Sequence, residues 1–261
     1  MREMLNELIE YRDLLYILTW RDIKIRYKQA AMGFCWAVLL PLCLVGAGLV
    51  VRAAVSFTSG KPLNMMDLAS VSVKALPWSF FIASLRFATS SLVANNSLIT
   101  KIYFPRELFP ISAMLANLFD FCIASLVLIV FLAFAHIHIT VYILWFPLLM
   151  LLLILFTTAS GMFFACANLF FRDVKYIVEV ILTMAIFFTP VFYDASTFGK
   201  WAKVLLLNPV AVLLESINSV VVLGRPPDLV WLTYAACWSV FGALFSWFFF
   251  HRLEFLFAER I

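Results

Sequence analysis

Four ionisable residues, Arg52, Arg86, Asp120 and Glu179, lie within or next to long apolar segments. A charged side chain at the centre of a membrane helix costs at least about 2.5–3.5 kcal/mol, so such residues are expected to be paired or functional. Arg86 and Asp120 lie about nine and about ten residues from the inner ends of the second and third predicted spans, roughly 14 Å deep. We therefore predict an intramembrane ion pair between Arg86 and Asp120, with a proton-coupling site as the alternative. Arg52 and Glu179 lie near span ends, where their side chains can reach the interface.

Catalytic and ligand-binding motifs are missing. The sequence has no Gly-x-x-x-x-Gly-Lys-[Ser/Thr] phosphate loop, and its nearest fragment, FTSGKPL, lacks the first glycine and the hydroxyl. His136 and His138 are two residues apart, which favours a polar turn over a pair of metal ligands. The five cysteines lie in apolar runs without a Cys-x-x-Cys pair and are predicted to be apolar packing residues. We expect no catalytic residue, cofactor or metal in this chain, so energy for any uphill movement must come from a partner or an ion.

The elements that carry these residues are apolar helices. The chain of 261 residues is 65% hydrophobic and only 13% charged, whereas a soluble domain holds about a quarter charged residues. Apolar runs of this length predict an all-α integral membrane protein. The first thirty residues have neither a continuous apolar core nor a small-residue cleavage site, so they are not expected to be a cleavable signal peptide. The predicted spans are six, near 33–55, 75–94, 110–135, 141–168, 175–193 and 229–250.

Basic residues predict the orientation, because they concentrate in cytoplasmic connections. Apart from Arg52 and Arg86, most lysines and arginines fall in connections on the side of the N-terminus. The segments on the other side hold Lys61, Lys74, Lys200, Lys203 and Arg225. Both termini are therefore predicted to be cytoplasmic, and the net charge of +4 is interpreted as topology rather than nucleic-acid binding.

Two segments outside the spans carry their own patterns. Residues 11–28 predict a helix at the membrane surface with two apolar stripes, either an ordinary interfacial anchor or a helix wedged between lipid and another protein. The outer segment 194–228 contains apolar pieces that are too short to span and are split by Asn208-Pro209. Two short re-entrant helices are predicted there, with a plain surface loop as the alternative. The predicted domains are 1–32 (cytoplasmic tail and amphipathic interface helix), 33–250 (six spans) and 251–261 (cytoplasmic tail).

Five motifs in order carry a family resemblance that covers nearly the whole chain. They are YRDLLYILTWRDIKIRYKQAAMGFCWAVLLPL (11–42), KIYFPRELFP (101–110), NLFFRDVKYIVEVILTMAIFFTPVFY (168–193), LNPVAVLLESI (207–217) and HRLEFLFAER (251–260). The chain resembles the permeases of ABC type-2 exporters, in the branch of O-antigen, capsule and teichoic-acid export.

The resemblance implies a homodimer in the bacterial cytoplasmic (inner) membrane, with one central channel that passes a lipid-linked glycan. Two copies of a separate ATPase subunit would dock on the cytoplasmic face and bind the ATP and Mg. Two other classes of protein are alternatives to an ABC exporter subunit. One is an ion-coupled secondary transporter that uses Arg86 and Asp120, and the other is a membrane-embedded glycosyltransferase or ligase. The latter would need acidic residues at the membrane surface, and the outer connections offer only Asp67, Asp194, Glu215 and Asp228, without a recognisable pair.

The resemblance also assigns roles to residues. The helix 11–28 and the coupling loop 95–109 would contact the ATPase subunit, and the external gate segment 194–228 would close the channel. The predicted ATPase contacts are Tyr16, Trp20, Arg21, Asp22, Arg26, Tyr27, Lys101, Tyr103, Pro105, Arg106 and Glu107. The channel-lining candidates are Trp36, Trp78, Phe80, Phe81, Phe187, Phe188 and Tyr193, and the gate candidates are Trp201, Asn208, Pro209 and Glu215.

Overall fold

The computed structural model describes residues 10–28, 35–59, 64–99, 104–138 and 140–260. Within these ranges every regular element is a helix, which confirms the predicted all-α class. Short 3-10 segments, Val141–Trp145 and Ala195–Trp201, precede α6 and α8. The α-helices are α1 (Arg12–Tyr27), α2 (Cys35–Ser59), α3 (Met65–Ala94), α4 (Asn96–Ile99), α5 (Leu108–Phe134), α6 (Phe146–Phe170), α7 (Val174–Phe188), α8 (Ala202–Leu205), α9 (Pro209–Val221) and α10 (Leu229–Arg260).

Four helical segments of the described chain are long and apolar enough to cross a membrane: Met65–Ala94, Leu108–Phe134, Val141–Phe170 and Leu229–Glu254. They coincide with the second, third, fourth and sixth predicted spans. The other two predicted spans, α2 and α7, stay predictions as membrane crossings.

α7 is shorter than its predicted span, 175–193. It has 15 residues, about 22 Å at helical rise, against the roughly 30 Å of a hydrocarbon core. The helix ends at Phe188 because Thr189 precedes Pro190, and a residue before proline is driven out of helical geometry.

α3 is the central helix, and it packs against α2, α5, α6, α7 and α9. Small residues let membrane helices approach closely. A Cβ added at Gly161 of α6 would lie 2.8 Å from the Cβ of Ala88 in α3, so this crossing has no spare room. Buried Asn168 joins three helices, because its amide donates to the Thr89 carbonyl at 3.0 Å and its oxygen accepts the Lys175 N–H of α7 at 3.1 Å.

α1 confirms the predicted helix in 11–28, and it runs beside the first turns of α5; its place at the membrane surface stays a prediction. The Ser112 hydroxyl donates to Asp22 at 3.3 Å, and Arg26, one turn further along α1, reaches Asn117 of α5 at 2.8 Å. These contacts advance along both helices in the same direction, so the helices lie side by side. Leu18 is buried, so one stripe of α1 packs on the protein.

The segment 194–228 folds into short helices as predicted. Asn208 caps α9, because its side-chain oxygen accepts the Val210 N–H at 3.0 Å, and Pro209 occupies the first helical turn. α9 is largely buried against α3, α6 and α10, so the alternative of a plain surface loop is wrong. We call the end of the bundle with α8, α9 and residues 189–195 the far end, and the end with Arg106 and Glu254 the terminal end.

Candidate functional site

Five charged side chains form a continuous ion-pair network at the far end. Arg52 of α2 contacts Asp67 of α3, and its guanidinium also lies 3.0 Å from Asp194 in the segment after α7. Lys74 of α3 lies 2.9 Å from Asp194 and 3.5 Å from Glu215 of α9. Positive and negative groups therefore alternate through Asp67, Arg52, Asp194, Lys74 and Glu215, and the network links three helices to one loop.

The same side chains hold the backbone of residues 192–195. The Lys74 ammonium donates to the Tyr193 carbonyl at 2.6 Å, and Arg52 Nε donates to the Phe192 carbonyl at 3.1 Å. Glu215 accepts the Ala195 N–H at 2.9 Å. The Lys74 side chain is 0% exposed and that of Arg52 is 10% exposed. Arg52 is therefore held by partners at the far end of the bundle, and the expectation that its side chain reaches the interface stays a prediction.

The two acids of the network outside the spans differ in their proton affinity. Burial on its own would raise the pKa of Asp194, but the adjacent Lys74 and Arg52 outweigh it and hold that pKa below its usual value. Burial raises the pKa of Glu215, and the nearby Lys74 and the Ala195 N–H offset this only in part. Asp194 is thus the firmly ionised centre of the network, whereas Glu215 is shifted toward its protonated form.

A second polar cluster lies where α1 meets α5. Arg26 donates to Asp120 and to Asn117, both at 2.8 Å, and the Tyr27 hydroxyl donates to the other oxygen of Asp120. The Arg26 guanidinium also lies over the ring of Phe87 in α3, 4.0 Å from its centroid. Asp120 therefore fastens the end of α1 to the bundle.

The predicted ion pair between Arg86 and Asp120 is wrong. Arg86 lies 2.9 Å from Glu179 of α7, and Asp120 is neutralised by Arg26 of α1. The two residues nonetheless line one cavity of about 280 Å³, together with Trp36 of α2. The physical reason is that α1 enters the bundle beside α5 and supplies a nearer cation than α3 does.

Residues 104–107 pack on the end of α10. The Arg106 N–H donates to the Glu254 carboxylate at 3.2 Å. Glu107 is only 4% exposed and lies 3.9 Å from His251. The predicted contact of Glu107 with a separate subunit is contradicted by this burial, and Pro105 is half-buried. Lys101 and Tyr103 lie outside the described residues.

Metal-ligand groupings are scarce in the part of the chain that the structure describes. One group, Glu107, His251 and Glu254, brings its ligand atoms within 4.8 Å of one another. These residue types could hold a divalent transition metal.

The predicted ATPase contacts on α1 divide into two sets. Tyr16 and Trp20 are exposed, whereas Arg26 and Tyr27 are half-buried and bind Asp120 of α5. Arg21 is half-buried, and its guanidinium lies 2.8 Å from the carboxylate of its neighbour Asp22.

Some of the predicted channel-lining aromatics are buried, and others are exposed. Trp78 and Phe81 are buried within the subunit, so their assignment to a channel between subunits is wrong; the cause is the central position of α3. Phe80 is also buried, but it lines the cavity that contains Trp36, Arg86 and Asp120. Trp36 and, at the end of α7, Phe187 and Phe188 are exposed. Tyr193 is half-buried and donates its hydroxyl to the Phe187 carbonyl at 2.8 Å.

Of the predicted gate residues, Trp201 is exposed, Asn208 and Pro209 start α9, and Glu215 belongs to the ion-pair network.

Comparison with known proteins agrees with this helical, multi-pass architecture. The pattern of the family described as "ABC-2 type transporter" matches residues 13–222, from α1 to the end of α9. The chain belongs to the ABC-2 type transporter membrane family. Its similarity to an O-antigen export system permease protein, RfbA, of Myxococcus xanthus is 32% identity over 245 residues, 92% of each chain. Two proteins of that name from Klebsiella pneumoniae share 27% and 26% identity over 210 residues, 78% of each chain.

The sequence reasoning missed the ion-pair network of this ABC-2 transporter. Asp67, Asp194 and Glu215 were noted as acids of the outer connections without a recognisable pair. Arg52 and Lys74 adjoin apolar runs, so each is expected to have an acidic partner. That expectation is the signal that could have identified the three acids. The grouping of His251 with Glu107 and Glu254 was missed as well, because a lone histidine in a basic-acidic tail shows no spacing that is typical of metal ligands.

Proposed function

We propose that this chain is the transmembrane subunit of an ATP-driven exporter that moves a lipid-linked polysaccharide of the O-antigen type across the cytoplasmic membrane. The observation that carries the proposal is the match to the ABC-2 family over residues 13–222 together with relatives named O-antigen export system permease. The lack of a phosphate-loop motif in the sequence fits a division of labour in which a separate subunit hydrolyses ATP.

In the proposed complex two copies of this chain surround the channel, and two ATPase subunits bind at the terminal end. The density of lysine and arginine in the connections of that end supports a cytoplasmic location. The exposed Tyr16 and Trp20 of α1 offer a docking face for the ATPase subunit. Movement of the loop would pass to α10 through Arg106 and Glu254, and movement of α1 would pass to α5 through Asp120.

The glycan path is proposed to follow the exposed aromatics Trp36, Phe187 and Phe188. Flat aromatic faces can contact the apolar faces of sugar rings without demanding one pattern of hydroxyl groups, which suits a polymer that slides. The buried Trp78 and Phe81 serve the packing of α3 instead.

The alternative of an ion-coupled secondary transporter is not favoured. It required Arg86 and Asp120 to form a proton site. Each of them is instead neutralised by a different partner, Glu179 and Arg26.

Purification together with the proteins encoded beside this gene tests the proposal. We expect an ATPase with a phosphate loop to co-purify with the chain, and deletion of either gene to remove the surface polysaccharide and leave lipid-linked glycan inside the cell. Export that survives the loss of every neighbouring ATPase gene would contradict it. As a matched pair, Trp20→Ala should weaken ATPase retention, whereas Trp201→Ala, which removes another exposed tryptophan at the far end, should not.

A further inference from the structure

Three side chains, Glu107, His251 and Glu254, converge where the start of α5 meets the end of α10. His251 and Glu254 are three residues apart on α10, so their side chains share one face of that helix. Glu107 directly precedes α5. His251 Nδ1 lies 3.6 Å from Glu254 Oε2 and 3.9 Å from Glu107 Oε1, and one ligand atom of each residue lies within 4.8 Å of the other two. One imidazole nitrogen therefore faces two carboxylates from distant parts of the chain.

The surroundings of these groups orient them toward one another. Glu107 is only 4% exposed, and a carboxylate so far from water needs compensating positive charge or hydrogen bonds. His251 Nδ1 is buried and makes no hydrogen bond to any residue that the structure describes. The Arg106 N–H donates to Glu254 Oε1 at 3.2 Å, which leaves Oε2 to face the histidine. The imidazole nitrogen is thus directed at two carboxylate oxygens from beyond hydrogen-bond distance.

The separations suit one shared cation. Zinc binds histidine nitrogen at about 2.0–2.1 Å and carboxylate oxygen at about 2.0–2.2 Å, so two ligand atoms on one zinc ion lie about 3.4 Å apart at a tetrahedral angle and about 4.2 Å apart at most. The separations of 3.6 Å and 3.9 Å fall within this range. The His251 side chain is 43% exposed, so an ion can enter from solvent and keep a water molecule as a further ligand.

We propose that Glu107, His251 and Glu254 bind one divalent transition metal ion of the zinc class at the terminal end. Imidazole together with carboxylate suits such ions, whereas magnesium and calcium prefer oxygen ligands throughout. The ion joins the segment before α5 to the end of α10, beside the contact between Arg106 and Glu254. The sequence predicts no metal in this chain, because only the fold brings Glu107 to the other two ligands.

Zinc binding by the purified full-length chain tests the site. The chain is prepared in detergent with an affinity tag that contains no histidine, stripped of metal with a chelator, and titrated with Zn²⁺ in competition with a chromophoric chelator. We expect one ion per chain and no displacement by a large excess of Mg²⁺. Free Zn²⁺ at about a hundredfold above the measured Kd should raise the Tm by about 5–11 °C.

The three histidines of the chain supply a matched control. His251→Ala should lose both the bound ion and the Tm shift. The double variant His136→Ala and His138→Ala, which removes the two exposed histidines after α5, should keep both. Glu254→Gln retains an oxygen for the Arg106 N–H but loses the ligand charge, and it should weaken zinc binding at least about tenfold, a loss that is seen even for partners of metal ligands.

Three results would overturn the inference. A wild-type chain that binds no zinc at micromolar concentrations would do so whether or not the variants fold. Equal binding by the wild type and His251→Ala, or loss of binding in the His136 and His138 variant, would show an adventitious ion only. A Tm that rises as His251 is protonated at low pH but does not respond to zinc would show a proton bridge instead of a metal. Zinc binding needs neither ATPase nor glycan, so its failure would not contradict the proposed function.

Discussion

Replacement of Lys74 by methionine tests the energetic core of the ion-pair network. The side chain is 0% exposed, and its ammonium lies 2.6 Å from the Tyr193 carbonyl and 2.9 Å from Asp194. Lys74→Met keeps the length and apolar stem but removes the charge, so Asp194 retains only Arg52 and Glu215 loses its cation. Removal of one partner of a buried pair costs about 3–5 kcal/mol. Since the Asp194 side chain is 41% exposed, water offsets part of the loss, and we expect about 3 kcal/mol.

The assay is thermal unfolding of the purified chain in detergent. At about 2–4 °C per kcal/mol for a chain of this size, the Tm should fall by about 6–12 °C. Lys200→Met is the matched control, because Lys200 is an exposed lysine at the same end, and its Tm should stay within about 1 °C of the wild type. Equal Tm values for the two variants would refute the claim that Lys74 is a buried, paired cation.

Three further predictions concern single contacts. Asp120→Asn should lower the Tm by several degrees and make α1 more accessible to protease than in the wild type, because α1 loses the carboxylate that fastens it; unchanged proteolysis would count against that contact. At pH 7 Asp194→Asn should lower the Tm more than Glu215→Gln does, since the pKa of Asp194 is lowered and that of Glu215 is raised. A raised pKa means that stability is lost as pH rises through it, so the Tm gap between wild type and Glu215→Gln should widen as the pH falls from 7 to 4.5, the usual pKa of a glutamate, and a constant gap would contradict this. Gly161→Ala should cost about 1–3 kcal/mol of unfolding free energy by overpacking the contact with Ala88, and Ala88→Gly should recover most of it; no recovery would place the strain elsewhere.

Much of the helical architecture could be predicted, because hydrophobic runs and proline positions act locally. The runs near 110–135 and 141–168 became α5 and α6 with ends within a few residues. The Asn208-Pro209 pair marked the start of α9 because a capping side chain and a proline are both signals of a first helical turn. α7 was overestimated because apolar composition continues past Phe188, although the backbone before Pro190 cannot stay helical.

The polar partners could not be predicted, because they depend on how helices meet. Arg86 and Asp120 lie at matching depths on neighbouring helices, and depth alone suggested a pair. The cation that Asp120 binds comes from α1, whose pattern favoured the membrane surface. In the same way, Trp78 and Phe81 looked available for a channel, yet the position of α3 among five other helices buries them.

The most direct test of the central claim is transport by the purified complex of this chain with the proposed ATPase subunit, in sealed vesicles that contain lipid-linked glycan. We predict that the glycan becomes accessible on the opposite side of the membrane only when hydrolysable ATP is supplied, with no requirement for a proton gradient. Movement that follows an imposed proton gradient without ATP, or an equal rate without the ATPase subunit, would contradict the assignment of this chain as the membrane subunit of an ATP-driven polysaccharide exporter.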